Sequence, residues 1–203
     1  MATTDVLSAA EAERILNVSD KPEAVGRFVS AVSQQLDQLC GPVVVRTITA
    51  ETHSGGVDVI SLKYRPVSSV TTVTEYDGTV STTLTAESNT AKATANYYLD
   101  ADQGTIRRRY NGSDWVFPNG RGNVVVTYIA GRAANTAAVD AKFKAAAAMM
   151  LRNVWIGEEA SGSETFGGGL TDNTQVATLL GPGLLNKVVA MLGDDIIDGV
   201  AVL

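Results

Sequence analysis

Cysteine and histidine occur once each in the 203 residues, as Cys40 and His53. A lone thiol excludes an internal disulfide framework and a multi-cysteine zinc site, and a lone histidine excludes an ordinary histidine-based one. Nucleophilic catalysis fares no better. A serine or cysteine triad would have to use His53 as its base, no Gly-x-Ser-x-Gly elbow is present, and Cys40 ends an apolar helical pattern. Cys40 therefore reads as a buried structural thiol, and His53, followed by Ser54-Gly55-Gly56, as a surface residue in a polar turn. Basic residues are also in deficit. Sixteen Lys and Arg stand against 22 Asp and Glu, a net charge of -6, the wrong sign for a protein that wraps phosphate backbones. No stretch approaches the roughly 18 uninterrupted apolar residues of a membrane span, and "MATTDVLSAAEAERIL" lacks the charged-then-apolar layout of a signal segment. Use in the cytosol, or in a particle assembled there, is the expectation.

What is present is 45% hydrophobic residues, enough for a packed core, arranged with helical periods at both ends and a period of two between them. Ser8 and Glu11 have capping-box spacing, which predicts a helix over about 8–17. Asp20 as cap and Pro22 in the first turn predict a second helix, whose Val25, Phe28, Val29, Val32, Leu36 and Leu39 form one apolar face until Gly41-Pro42. From Val43 the segments "VVVRTIT", "VDVISLKY", "VSSVTTVTEY", "YYLD", "TIRRRY" and "NVVVTYIA" read as short antiparallel strands. "LDADQGTI" reads as a hairpin, Pro66 belongs at a strand start or edge, and the Thr/Ala-rich 79–96 reads as a projecting hairpin or a loop, with the hairpin preferred. After Gly131, Val139, Phe143, Ala146, Ala147, Met150, Val154 and Trp155 share one face and predict a central core helix.

The expected fold class is α+β: an N-terminal helix pair and a core helix, an inserted antiparallel meander or small barrel, and a C-terminal helical tail. The division expected is a core over 1–157 (helices in 8–40 and 135–157, strands in 43–130), a flexible linker over 158–170, and a tail over 171–203. The tail's Val176, Leu179, Leu180, Leu184, Leu185, Val188, Val189 and Leu192 recur at helical spacing around Gly181-Pro182-Gly183. Such a tail is expected to pack weakly on its own chain, so truncation after Glu159 should spare the core.

Chemistry-bearing clusters are few. Asp194, Asp195 and Asp198 read as the solvated acidic end of a helix, not a metal site, and neither "GGG" at 167–169 nor "GRGN" at 120–123 makes a phosphate loop. Arg107, Arg108 and Arg109 are the basic cluster. In a strand two of them share a face and one points away, giving a charged surface or an intersubunit ion pair in preference to a DNA contact. Trp115 reads as a plug closing the end of a small sheet. Candidate interaction residues are Arg107, Arg108, Arg109, Phe166, Leu179, Leu180, Leu184, Leu185, Val188 and Val189; no catalytic, cofactor or metal residue is assigned.

The order "LKYRPVSSVTTVTEYDG", "YYLDADQGTIRRR", Trp115 and "NVVVTYIAGRAA" leading into an Ala-rich helix resembles the head-tail connector (adaptor or head-completion) proteins of tailed bacteriophages. The likeness covers about residues 5–157, on Arg65 to Val70, Tyr98 to Asp100, Gly104 to Arg107, Trp115 and Val126 to Gly131. The insertion at 79–96 and the region after 157 depart from the pattern. The resemblance implies a non-enzymatic virion protein of the neck, assembled in the host cytoplasm, with no cofactor and no membrane. It implies a ring, by resemblance a dodecamer, beneath the portal protein, which contacts a tail terminator or second neck protein and lets DNA pass without tight binding. Two other classes compete. A β-rich carbohydrate-binding module, or another virion interaction module, would use Trp115, Tyr97, Tyr98 and Tyr110 as a platform; a small hydrolase would need His53 or the terminal aspartates in one cleft.

Overall fold

The computed structural model describes residues 4–19, 21–88, 92, 94, 96–162 and 182–196. Its contacts divide the chain into two compact units, Met1–Val44 with Ala133–Leu203, and Val45–Arg132.

The first unit is helical. Helix α1 (Ala9–Leu16) starts at a complete capping box: the Ser8 hydroxyl accepts from the Glu11 amide, and Glu11 Oε2 accepts from the Ser8 amide at 2.8 Å. Helix α2 (Pro22–Cys40) has Lys21, not Asp20, at its N-cap, without a side-chain cap bond, so Pro22 begins the helix where a missing amide hydrogen costs nothing. Helix α3 (Ala141–Gly162) continues five residues beyond the expected end at 157, into the segment whose composition suggested a linker. Helix α4 (Pro182–Leu192) follows.

The apolar faces meet in one core. Val25, Val29, Val32 and Leu36 of α2 join Phe143, Ala146, Ala147, Met150, Leu151 and Trp155 of α3, all buried. Phe28 lies edge-on to Trp155 with ring centroids 5.8 Å apart. Cys40 is fully buried and its thiol donates to the Leu36 carbonyl, as expected of a structural cysteine. Val188 and Leu192 of α4 belong to the same core, 0% and 2% exposed. This corrects the expectation of a weakly packed tail at the described positions of its periodic face, where Val188 and Leu192 are buried within their own chain.

Glu11 also ties α1 to α3. Its Oε1 accepts from Lys144 Nζ at 2.6 Å, and this bond, with that from Ser8, holds the carboxyl down to about 2. A folded-state value below the unfolded one adds stability above the ordinary carboxylate range that is lost as the pH falls through about 2. Acid titration of urea stability should therefore be flatter between about pH 4.5 and pH 2 in Glu11→Gln than in the parent. Parallel curves would show that the contact contributes nothing in solution.

The second unit is two antiparallel sheets. Strands β1 (Arg46–His53), β2 (Val59–Ser61), β3 (Val67–Asp77), β4 (Val80–Thr83), β5 (Tyr97–Asp100), β6 (Thr105–Tyr110), β7 (Ser113–Asp114) and β8 (Val124–Ala130) assemble as β1-β8-β3-β4 and β2-β6-β5, with β7 paired to β6. A meander would pair neighbours in sequence; here β8 lies between β1 and β3. Its strict alternation of buried and half-buried residues suits that central place. Pro66 precedes β3, and Arg65–Pro66 is cis. The 79–96 segment opens as the second arm of a hairpin, Asp77 opposite Val80, and returns to the core at Leu84; residues 89–91, 93 and 95 lie outside the described residues. The core of this unit comprises Ile60, Val67, Val73, Tyr97, Ile106, Phe117, Val126 and Tyr128, among others.

Candidate functional site

The basic cluster sits on β6, and the period of two separates its members. Arg107 and Arg109 share the outer face, while Arg108 points inward and is 7% exposed. On β3, Glu75 has the same parity as buried Val73, which brings its carboxylate into the interior. The two form a bidentate pair, Arg108 Nε to Glu75 Oε2 and Nη2 to Oε1, each 2.8 Å. Nη1 donates to the Asn96 carbonyl at 2.9 Å. This ion pair ties β3 of one sheet to β6 of the other.

The outer pair is also engaged within the chain. Asp114 receives Arg107 Nη1 at 3.2 Å on Oδ2 and Arg109 Nη1 at 2.6 Å on Oδ1. Arg107 also approaches Asp58 at 3.4 Å, and Arg109 Nε approaches Glu87 at 3.3 Å. Two guanidiniums thus face three carboxylates, an excess of one negative charge, so this face is not built to hold a phosphate. Within the chain the arginine cluster is an ion-pair network, and its outer members Arg107 and Arg109 form the charged strand face that the sequence suggests.

Beside it lie exposed aromatics. Tyr98, opposite Arg107 in the ladder, is 46% exposed; Tyr110 and Trp115 are 50% and 55% exposed, with ring centroids 5.4 Å apart. Trp115 is therefore no plug. The Trp115 amide donates to the Arg108 carbonyl and the Phe117 amide to the Val57 carbonyl, both at 2.9 Å, and Phe117, two residues on in this non-strand segment, is 1% exposed and fills the core instead. Val116 is also half exposed. Tyr97 is buried, which removes it from any sugar platform and pushes its hydroxyl pKa up.

The remaining candidates are dispersed. His53 ends β1 and its side chain is 16% exposed, with Nε2 2.9 Å from Glu51 Oε1, so it is half-buried, not a surface turn residue. Glu51 Oε2 accepts from the Tyr128 hydroxyl at 2.6 Å, while burial pushes the Tyr128 pKa up and keeps it a donor. Asp195 pairs with Lys142 of α3, Asp194 is exposed, and Asp198 lies outside the described residues. Among the described residues no group of three or more His, Cys, Asp or Glu is placed to hold a metal. Phe166, Leu179 and Leu180 lie outside the described residues; Leu184 and Leu185 lie on α4, with side chains outside that description. Val188 is a core residue and Val189 is half-buried. Glu75 belongs to no motif in the sequence, and its parity with Val73 is the signal of its inward direction.

No family model matches the chain, and no curated protein matches it. Solved structures do. A chain in the structure described as the virion of a native gene transfer agent particle matches with a TM-score of 0.58 at 18% identity, covering 86% of this chain and 87% of that one. A chain in the structure of the neck of an empty gene transfer agent particle, computed with C6 symmetry, matches with a TM-score of 0.53 at 17% identity, covering 89% and 91%. This chain therefore shares its fold, over most of both lengths, with chains of gene transfer agent particles.

Proposed function

We propose that the protein is a structural subunit of the neck of a phage-like particle, a head-tail connector that forms a ring beneath the portal and continues the DNA channel. The observation that carries this reading is the fold likeness across 86% of the chain to a virion chain of a gene transfer agent, supported by the second likeness to a neck chain. The sixfold symmetry in that neck's description is compatible with the twelve copies the sequence resemblance implies. The proposed work is mechanical: helices and sheets hold a fixed shape, and one surface receives the tail terminator or next neck protein. Phe166, Leu179, Leu180, Leu184, Leu185 and Val189 are proposed as contacts to neighbouring neck proteins on their sequence pattern, with the part of the 158–170 linker that follows α3 joining the core to the tail at 171–203. Electron microscopy of the purified protein, alone and with its portal, tests the reading. Closed rings on the portal are expected; a subunit that stays monomeric in intact particles overturns it.

A conduit for DNA benefits from not gripping it. With a net charge of -6 and the β6 arginines held by carboxylates, free subunits are expected to bind duplex DNA more weakly than about 10 µM near physiological salt. Fluorescence anisotropy across a salt series measures this, and sub-micromolar binding there would contradict the conduit. The exposed Tyr98, Tyr110 and Trp115 favour a second reading, a carbohydrate-binding module. Saturable glycan-array binding by the monomer, lost in Trp115→Ala, would establish it in place of the first.

A further inference from the structure

The exposed pair Tyr110 and Trp115, with Val116, forms an apolar knob at the β6–β7 hairpin that the arginine network does not use. Each aromatic of this kind carries on the order of 150–250 Å² of surface to bury, and Trp, Tyr and Arg together are the composition of an interface hot spot. The other unit carries an open groove of about 710 Å³ lined by Ala9, Pro22, Glu23, Gly26, Arg27 and Ala31. Ala9, Gly26 and Ala31 give this lining room for a large side chain, Glu23 and Arg27 bring one charge of each sign, and Ser30 and Gln34 complete it. The knob's rim matches: exposed Asp114 can face Arg27, and half-buried Arg107, whose side chain is 42% exposed, can face Glu23.

We propose that the β6–β7 hairpin of one copy seats in the α1–α2 groove of a second copy. Knob and groove are different surfaces of the same chain, so the contact is heterologous. Such contacts propagate head to tail and close into a ring when the rotation allows. The closure, though not the contact, rests on the connector reading. The charges already paired within each copy set the rim, and Trp115 supplies the buried anchor.

Cys40 is fully buried, so single-cysteine chemistry has a low background. Val116→Cys and Ala31→Cys variants, treated with a short bismaleimide, are expected to give a dimer only when mixed. The double variant is expected to give a ladder of oligomers. Adding Trp115→Ala to the Val116→Cys chain, or Arg27→Glu to the Ala31→Cys chain, is expected to lower the mixed product about tenfold or more. Circular dichroism melting checks that both chains stay folded. Homodimers from either variant alone, no mixed product at the highest soluble concentration, or a yield indifferent to both substitutions each overturn the proposal. Rings seen by microscopy without the mixed product sink this contact and leave the connector reading standing. The mixed product without rings does the reverse.

Discussion

Glu75→Ala is expected to destabilise the Val45–Arg132 unit by about 3–5 kcal/mol, because it leaves the Arg108 guanidinium buried without its carboxylate. Both side chains of the pair are 9% exposed and both hydrogen bonds are 2.8 Å. Removing one partner forfeits the attraction while the desolvation cost of the other stays. Removing both differs in kind: Glu75→Met with Arg108→Leu is expected to be neutral or stabilising by about 1–4 kcal/mol, since the buried pair roughly cancels its own desolvation. Urea unfolding gives the magnitudes, and hydrogen exchange at β3 and β6 amides localises the loss to this unit. A single substitution costing under about 1 kcal/mol would mean that water reaches the pair in solution. For a domain whose whole stability is about 5–15 kcal/mol, the expected loss is large enough to impair assembly without touching any interface residue.

The same residues show how far the sequence could be read. The Ser8–Glu11 cap, the α2 face, the α3 face and the alternation of β8 are local patterns, and each appears where its period placed it. Arg108's inward direction followed from strand parity, but its partner lies 33 residues away on another sheet, and no local rule pairs them. Trp115 was misread for a related reason. Its orientation depends on the irregular path of the chain after β7, where no strand parity holds and Trp115 is exposed while Phe117, two residues on, is buried. The sheet order failed at the same level, since β1 meets β8 across more than 70 residues and that pairing is a property of the shared core. Composition likewise suggested a linker from 158, whereas α3 continues through Gly162; an Ala-rich helix already propagating extends cheaply into weak helix formers.

Val188→Asp is expected to unfold much of the helical unit, at a cost of about 3 kcal/mol or more. Val188 is 0% exposed within the core that holds Phe143, Met150 and Leu151, so an aspartate there has neither water nor a partner of opposite charge in that apolar cluster. Ending the chain after Gly162 should act in the same direction, because it strips Val188 and Leu192 from that core together with the Asp195 contact to Lys142. Both changes are expected to lower the melting temperature and raise binding of an apolar dye, with slowed exchange lost first along α3. The composition of the C-terminal region alone argues the opposite: a detachable docking arm whose removal spares the fold and only prevents attachment to the portal. The two accounts separate cleanly in the isolated subunit, before any partner is added. An unchanged melt for Val188→Asp would show that α4 leaves its core in solution and is free to serve a neighbour, whereas a collapse of stability would make α4 part of the scaffold of the helical unit.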